Sequence, residues 1–312
     1  MKNILVTGGN GFIGSHLVDE LARQSDNRIT IFDLYPRLYD SLPPNIFFVQ
    51  GNLNNINLIR RILEDRNIQI VYHTAWATIP ETSLKNVFLD VEMNLQPTIN
   101  LLEACRDAKV RRVIYLSSGG TVYGVPHLLP ITEDHPTNPI NPYGITKLIA
   151  EKYVQMYSHL YGLEYVILRP SVPYGPRQNP HRRQGVISTF IYNALKKLPV
   201  TIWGDGDQIV RDYFYISDLI HAMILAKDLP NREKYIFNLS GSSCYSLNEI
   251  IQIIQSVLGV HLTVNYEPPR DFDVTNLHLD ISQATESLGW QPLVPIQQGI
   301  AQTAKWIEKN IE

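Results

Sequence analysis

A tyrosine and a lysine stand four residues apart at the start of a helical pattern, at Tyr143 and Lys147. Residues i and i+4 of a helix share one face, with Cβ atoms about 5–6 Å apart. An ammonium near a phenol favours the phenolate, so this pair predicts a tyrosine pKa below the usual value of about 10. Such a phenol can take a proton near neutral pH. Taken alone, the spacing is common by chance and favours an ordinary exposed aromatic–lysine pair.

Three glycines near the N-terminus, Gly8, Gly11 and Gly14, follow a short apolar run and open another helical pattern. This order predicts a buried strand, a tight turn and a helix whose free N–H groups face an anion. Phe12 and Ile13 belong to the same turn. The alternative is an ordinary glycine-rich turn, but the strand before it and the helix after it favour a phosphate site.

An acidic residue, Asp33, ends the next predicted strand, about 20 residues after the last glycine. A dinucleotide site needs a carboxylate there for the ribose hydroxyls. Because a carboxylate repels a 2′-phosphate, Asp33 favours NAD over NADP. The nearby Arg37 leaves NADP as an alternative cofactor, although the simpler interpretation of this residue is an exposed charge in a loop.

Strand and helix patterns alternate through the first half of the chain, and a single long helix is expected over residues 87–108. The predicted strands are residues 4–6, 29–32, 46–49, 70–75 and 113–118. Repeated strand–helix units indicate an α/β fold with a doubly wound, Rossmann-type parallel sheet, whose ligands bind at the carboxyl ends of the strands.

Composition excludes several classes of protein. The 312 residues are 44% hydrophobic and 18% charged, with a net charge of −3, which gives no general attraction to nucleic acid or to anionic membranes. Cys105 and Cys244 lack metal or redox spacing, so no metal is expected and a reducing compartment is favoured. Without a signal peptide or an apolar run of roughly 18 residues, the cytoplasm is the expected location.

The motifs occur in an order that resembles the extended short-chain dehydrogenase/reductase family, particularly its nucleotide-sugar epimerases and dehydratases. The resemblance covers essentially the whole chain. It rests on the three glycines, Ser117-Ser118 before Val122-Tyr123-Gly124, the Tyr143–Lys147 pair, and residues 168–170, 174–180, 203–206, 211–213 and 288–292.

The resemblance implies roles for most of these residues. Tyr143 would be the acid/base that takes the sugar hydroxyl proton, and Lys147 would hold the nicotinamide ribose and depress the tyrosine pKa. Besides the glycine turn and Asp33, the residues implied to lie near the cofactor are Asn52, Leu53, Thr74, Ala75, Trp76, Asn94 and Ser117.

The family's loop normally carries a Ser or Thr where this chain has Gly119. Another hydroxyl must then reach the reacting oxygen. Thr121 is the first candidate, because alternation along a strand puts it on the same side as position 119. Ser118 is the second candidate, if the backbone bulges.

The same loop separates the reactions of this family. Its dehydratases and decarboxylases usually carry a Glu immediately before Val-Tyr-Gly, and the dehydratases an Asp before that. This chain has Gly120 and Thr121, which favours oxidation and re-reduction over elimination.

The second half is expected to hold the nucleotide of a sugar. Val186 begins a helical pattern, and Trp203 ends a short strand that would flank the base. Arg211 and Arg270 match the family's diphosphate-binding arginines, and Asp273 matches its partner on the nucleotide ribose.

Three further positions bear on the substrate. Tyr213 is either a substrate-side residue or half-buried core. Leu277 aligns with a position where a large Tyr restricts some epimerases to unmodified hexoses, so a smaller Leu leaves room for an N-acetyl group. Val172 replaces an Asn that commonly contacts the diphosphate.

The expected organisation is an NAD-binding Rossmann domain at residues 1–170 and a smaller, interleaved α/β domain for the nucleotide sugar at residues 171–312. Residues 208–240 are expected to return to the first domain. Helices over about 94–108 and 146–161 match those that form a homodimer interface in the family.

The leading hypothesis is therefore an NAD-dependent 4-epimerase of UDP-glucose and UDP-galactose or their N-acetyl counterparts. Another nucleotide-sugar oxidoreductase or dehydratase of the same family is the enzymatic alternative. A non-catalytic NAD-binding regulatory protein is the third hypothesis, and the intact Tyr143–Lys147 pair argues against it.

Overall fold

The computed structural model describes residues 2–36, 42–182, 185–230, 235–270 and 274–311. In chain order, the strands are β1 Lys2–Thr7, β2 Asn27–Asp33, β3 Ile46–Gln50, β4 Ile70–His73, β5 Arg112–Leu116, β6 Glu164–Pro170, β7 Val172–Tyr174, β8 Val200–Trp203, β9 Val210–Arg211, β10 Tyr213–Tyr215, β11 Tyr235–Leu239, β12 Tyr245–Ser246, β13 Val264–Glu267 and β14 Asn276–Leu277. The α-helices are α1 Phe12–Ala22, α2 Ile56–Asp65, α3 Pro80–Lys85, α4 Val87–Asp90, α5 Gln96–Asp107, α6 Pro142–Tyr161, α7 Val186–Lys196, α8 Ile216–Lys227, α9 Leu247–Leu258, α10 Ser282–Leu288 and α11 Ile296–Asn310.

Seven parallel strands form the main sheet, in the order β11-β6-β5-β4-β1-β2-β3. Because all neighbours are parallel, their carboxyl ends meet at one edge. The strand order reverses between β1 and β4, and ligands of doubly wound sheets bind in the crevice at such a point. This architecture confirms the expected Rossmann-type fold.

The sheet is covered on both faces because its strands are apolar on both sides. On one face, Ile4 and Val6 of β1 join a core cluster that includes residues of α1 and α8. On the other face, Leu5 of β1 packs in a cluster with residues of α2, α5 and α6. The alternation along β1 therefore separates two helical layers.

The C-terminal part adds small sheets beside the carboxyl edge. Strand β8 pairs with β13, β9 lies between β12 and β14, and β7 pairs with β10. Helices α7, α9 and α11 pack against one another, and their buried residues belong to the same cluster as Ile4 and Val6. None of the described helices is long and apolar enough to cross a membrane.

The helix that was expected over 87–108 is present and contains a π-helical turn. Helix α4 ends at Asp90, the π-helical turn spans Val91–Leu95, and α5 follows without a break, since Asp90, Leu95 and Gln96 all have right-handed helical dihedral angles. Pro97, which has no N–H to donate, comes directly after the π-helical turn. The π-helical turn was not expected, and Asn94 lies within it.

Candidate active site

Helix α6 sets Tyr143 and Lys147 on one face at its start. The Asn141 side chain caps this helix by accepting a hydrogen bond from the backbone N–H of Gly144 at 2.9 Å. Pro142 fills the first turn. The backbone N–H of Tyr143 donates to Ser83 Oγ at 3.1 Å, which ties the helix start to α3.

Lys147 is buried, with an exposed fraction of 4%. Its Nζ donates to the Leu116 carbonyl at 2.7 Å and lies 3.7 Å from the centre of the Trp76 ring. Burial lowers the pKa of Lys147 to about 7, although Glu151 and Asp90 act in the opposite direction. The ammonium is therefore held between a carbonyl and an indole ring.

The phenol of Tyr143 differs from the sequence-based expectation. Burial raises its pKa above the usual value, Asp90 raises it further, and a hydrogen bond with Ser118 lowers it. Lys147 Nζ lies 5.8 Å from the centre of the Tyr143 ring. The lowered pKa expected from Lys147 is thus not found, because burial and a neighbouring carboxylate dominate.

The hydroxyl beside Tyr143 belongs to Ser118 rather than to Thr121. Thr121 Oγ1 is buried and has no hydrogen-bond partner among the described residues. Strand alternation fails here because β5 ends at Leu116 and the chain turns, with the N–H groups of Thr121 and Val122 both directed at the Ser118 carbonyl.

Gly119 leaves no room for the side chain that the family usually carries. A Cβ at this position would lie 2.5 Å from Leu279 Cδ1 and 2.7 Å from the Arg169 carbonyl oxygen. Position 119 therefore faces packed protein.

The glycine turn brings β1, α1 and β4 into close contact. A Cβ at Gly14 would lie 2.1 Å from the Gly8 carbonyl oxygen, and one at Gly8 would lie 2.7 Å from Ala75 Cα. Gly8 also has a φ of +72°, which favours glycine. Gly11 precedes the first residue of α1, and a Cβ there would meet only the Gly8 carbonyl oxygen, at 3.2 Å.

The carboxylate of Asp33 lies beside this turn and is 8% exposed. It accepts hydrogen bonds from the backbone N–H groups of Asn10 at 2.9 Å and Tyr35 at 3.1 Å. The carboxylate is thus fixed at the end of β2. Arg37 lies outside the described residues.

The other expected cofactor residues cluster at the carboxyl ends of neighbouring strands. Asn52 is exposed and accepts a bond from the Asn54 N–H at 2.8 Å, and Leu53 is half-buried. Thr74 Oγ1 donates to the Thr7 carbonyl at 2.7 Å. Trp76 Nε1 is buried without a hydrogen-bond partner among the described residues.

Asn94 and Ser117 make their hydrogen bonds within the protein. Asn94 Oδ1 accepts from the Ala77 N–H at 2.7 Å, and its Nδ2 donates to Asp90 Oδ1 at 3.0 Å. Ser117 Oγ donates to Glu151. Both side chains therefore stabilise the protein around the site through hydrogen bonds with other residues of the chain.

Sequence reasoning missed two buried carboxylates behind the Tyr143–Lys147 pair, Asp90 and Glu151, each 0% exposed. Glu151 forms an ion pair with Arg169 at 2.7 Å. One available signal is i,i+4 spacing, of Glu151 from Lys147 and of Asp90 from Asn94.

The structure brings two of the expected substrate residues together. The Arg270 guanidinium lies 4.8 Å from the centre of the Trp203 ring, which is 40% exposed. Val186 is half-buried at the start of α7. Asp273 lies outside the described residues.

The side chains of Arg211 and Tyr213 lie in different environments. The Arg211 guanidinium donates to the carbonyl of Thr275 at 2.8 Å and to that of Val274. Tyr213 is 4% exposed and belongs to the main core, and burial raises the pKa of its phenol. Its position favours the core alternative. Leu277 is buried and pairs with Arg211 between β14 and β9.

These residues fit a dinucleotide. The tight glycine turn presents the start of α1, Asp33 supplies a fixed carboxylate, and the buried Trp76 N–H has no protein partner among the described residues. The carboxyl edge of the sheet thus has donors for phosphates and an acceptor for ribose hydroxyls.

Comparisons with known proteins agree with this geometry. Residues 4–240 match the model of the NAD dependent epimerase/dehydratase family. The chain is 34% identical to a UDP-glucose 4-epimerase of Mycolicibacterium smegmatis, over 98% of this chain and 98% of the relative.

Two solved structures share the whole fold. A UDP-glucose 4-epimerase of Thermotoga maritima with UDP-glucose has a TM-score of 0.93 and 33% identity, covering 99% of this chain and 100% of the other. The Thermus thermophilus UDP-glucose 4-epimerase in complex with NAD has a TM-score of 0.91 and 32% identity, with the same coverage. The family's NAD dependence agrees with the expected cofactor. With the fold, the glycine turn and the Tyr143–Lys147 pair in place, the chain belongs to the NAD-dependent epimerase/dehydratase family.

Proposed function

We propose that this chain is an NAD-dependent UDP-sugar 4-epimerase. Its substrates are UDP-glucose and UDP-galactose or their N-acetyl counterparts. The observation that carries the proposal is the pairing of Tyr143 with the buried Lys147 on one face of α6, at the sheet edge that holds the glycine turn and Asp33. The interaction of Ser118 with the phenol supports it. The named activities of the relatives support the same reaction.

NAD held by the glycine turn and Asp33 would supply the hydride chemistry at C4 of the sugar, which is oxidised and then reduced again from the other face. Tyr143 takes the proton of the C4 hydroxyl and gives it back. Ser118 orients the phenol through their hydrogen bond. Lys147 supplies positive charge 5.8 Å from the phenol ring and would bind ribose hydroxyls of the cofactor.

The loop before Val122 supports epimerisation over elimination. Gly120 and Thr121 carry no group that titrates near neutral pH. The described carboxylates near Tyr143, Asp90 and Glu151, are buried and hydrogen-bonded to other side chains. They are poorly placed to protonate a leaving hydroxyl.

We assign the nucleotide sugar to residues 171–312 and the cofactor to residues 1–170, with 208–240 returning to the first domain. The pairing of β11 with β6 in the main sheet supports that return. Trp203 and Arg270 form an aromatic–cation pair suited to a base and a diphosphate. Val186, Arg211 and Asp273 stay proposed substrate residues, whereas the burial of Tyr213 favours a role in the core.

A homodimer is part of the proposal. Helices α3 and α4, the π-helical turn and α6 expose many large apolar side chains, and an apolar surface of this kind marks a protein interface. We call this set of side chains the α3–α6 surface. Its members are Leu84, Val87, Phe88, Leu89, Val91, Met93, Ile145 and Met156. We propose a second copy of this chain as its partner, because α6 in this surface contains the helix over 146–161, one of the two that match the family's dimer interface.

The test is incubation of the purified protein with UDP-glucose and with UDP-N-acetylglucosamine, following the C4 epimer by NMR. We expect conversion without net NADH formation. The Tyr143→Phe variant should lose about 10²–10⁴-fold in kcat and still bind NAD, because only the proton-transferring oxygen is lost. Tyr161→Phe, at the other end of α6, is the matched control and should keep its activity.

The other outcomes point to the alternatives. Full activity in Tyr143→Phe contradicts the acid/base role. Stoichiometric NADH formation or consumption identifies a net oxidoreductase. No conversion of any nucleotide sugar after NAD is added leaves the non-catalytic binding protein.

A further inference from the structure

Asp90 is a fully buried carboxylate directly behind the Tyr143–Lys147 pair. It accepts hydrogen bonds from Thr78 Oγ1, from Asn94 Nδ2 and from Thr146 Oγ1. All three donors are neutral. Within the part of the chain that the structure describes, no Lys, Arg or His forms an ion pair with it.

A buried charge is costly unless an opposite charge compensates it. The neighbouring carboxylate, Glu151, already has the Arg169 guanidinium at 2.7 Å. Asp90 and Glu151 both raise the pKa of Lys147 against the effect of burial. Glu151 has the larger effect on Lys147, but it shares its charge with Arg169, whereas Asp90 has no cationic partner of its own among the described residues. Asp90 is fully buried and accepts a hydrogen bond from Thr146, the residue before Lys147.

The hydrogen bonds of Asp90 also join the elements that surround this ammonium. Thr146 precedes Lys147 in α6. Thr78 lies two residues after Trp76, whose ring centre is 3.7 Å from Lys147 Nζ. Asn94 bonds both Asp90 and the backbone of Ala77. Asp90 therefore connects α6, the loop after β4 and the π-helical turn.

We propose that Asp90 is a positioning residue for the Tyr143–Lys147 pair: its hydrogen bonds hold the Trp76 loop and α6 around the Lys147 ammonium, and its charge adds to that of Glu151 in balancing this ammonium. The catalytic consequence rests on the proposed function. The electrostatic part concerns the protein alone and is tested separately.

The other titratable groups around Lys147 come from three elements. Tyr143 and Glu151 lie on α6, Tyr115 on β5 and His73 on β4. Burial lowers the pKa of His73 to about 3, and Thr7 and Thr98 bond its two ring nitrogens at 2.8 and 2.9 Å, so His73 is neutral near pH 7. Burial keeps Tyr115 protonated by raising its pKa. Removing the Asp90 charge should therefore lower the pKa of Lys147 and of Tyr143, while the contribution of Glu151 to Lys147 stays in place.

The first test is a pH titration of the lysine Cε resonances by ¹³C NMR in the full chain. The Lys147 signal is the one that is missing in Lys147→Met, and its midpoint in the wild type is expected near 7. In Asp90→Asn the midpoint should fall by about one pH unit or more, because an opposite charge is removed from a buried site. Thr146→Val is the matched control, since it removes one hydrogen bond to Asp90 and keeps the Asp90 carboxylate. The Lys147 midpoint in this variant should equal that of the wild type.

The second readout is the pH profile of kcat. Asp90 raises the pKa of both Tyr143 and Lys147. Both limbs of the profile should therefore move to lower pH in Asp90→Asn. A merely structural defect would lower kcat at every pH and leave the limbs in place.

An unchanged Lys147 midpoint in folded Asp90→Asn overturns the proposal. If that variant does not fold, Asp90→Ser decides, because serine also removes the charge and keeps a hydrogen-bonding oxygen: a fallen midpoint supports the proposal and an unchanged midpoint overturns it. A shifted Lys147 midpoint in a protein that converts no UDP-sugar would support the counter-charge role while refuting the proposed function.

Discussion

At the scale of single residues, we expect the hydroxyl that interacts with Tyr143 to orient the phenol. Ser118 makes this interaction, whereas Thr121 Oγ1 is buried without a partner among the described residues. We expect Ser118→Ala to lower kcat by roughly 10- to 100-fold, the effect of losing one hydrogen bond in a buried site. Thr121→Val should change kcat much less. Steady-state kinetics of both variants tests this assignment, and a larger loss in Thr121→Val would reverse it.

Residue types and spacing predicted which residues lie together at the candidate site, but they did not predict the direction in which the pKa of Tyr143 is shifted. Tyr143, Lys147 and Asp33 were identified from spacing and sequence order. The direction of the Tyr143 pKa could not be predicted from the Tyr–Lys pair, because it depends on burial and on Asp90. Asp90 reaches the site from another helix, and the sequence does not reveal that contact.

At the scale of elements, the contact between β1 and α1 depends on Gly14. A Cβ there would lie 2.1 Å from the Gly8 carbonyl oxygen, so Gly14→Ala must push the helix away from the turn. We expect the free energy of unfolding to fall by about 1–3 kcal/mol and the affinity for NAD to fall as well. Denaturant unfolding and calorimetric NAD titration measure the two effects.

Gly259→Ala is the matched control for this prediction. Gly259 follows α9 with a φ of +66°, and a Cβ there meets no atom within 4 Å. The substitution should cost about 1–2 kcal/mol of stability through backbone strain and leave NAD affinity unchanged. Equal NAD affinity in wild type and Gly14→Ala would contradict the role assigned to the turn.

Short continuous apolar runs located five of the seven strands of the main sheet, because strands buried on both faces are apolar on both sides. They failed where tertiary hydrogen bonds override local preference. Residues 117–121 turn instead of continuing β5, and the Asn94 side chain bonds across to Ala77 from a π-helical turn. Neither feature produces a periodic pattern of apolar residues in the sequence.

At the scale of the whole molecule, one core cluster spans the main sheet and the C-terminal helices. It contains Ile4 of β1, Phe190 of α7, Ile254 of α9 and Ile300 of α11. The carboxyl edge of the sheet and the proposed substrate-side residues are therefore built on a continuous core. This packing fixes Arg211 and Trp203 relative to Tyr143 more firmly than a flexible linker would.

The α3–α6 surface predicts the oligomeric state. Phe88 is 88% exposed in the single chain, and burying such a ring against a second copy is worth about 1.5–3 kcal/mol. We expect a dimer in light scattering after size exclusion, and Phe88→Glu should yield a monomer, because a carboxylate buried in an apolar interface has no partner. Leu293→Glu is the control, since Leu293 is 71% exposed and lies outside this surface. A wild-type monomer, or a dimer that survives Phe88→Glu, would exclude this surface as the interface. If dissociation also lowers kcat, the neighbouring Asp90 and π-helical turn depend on the second copy for their position.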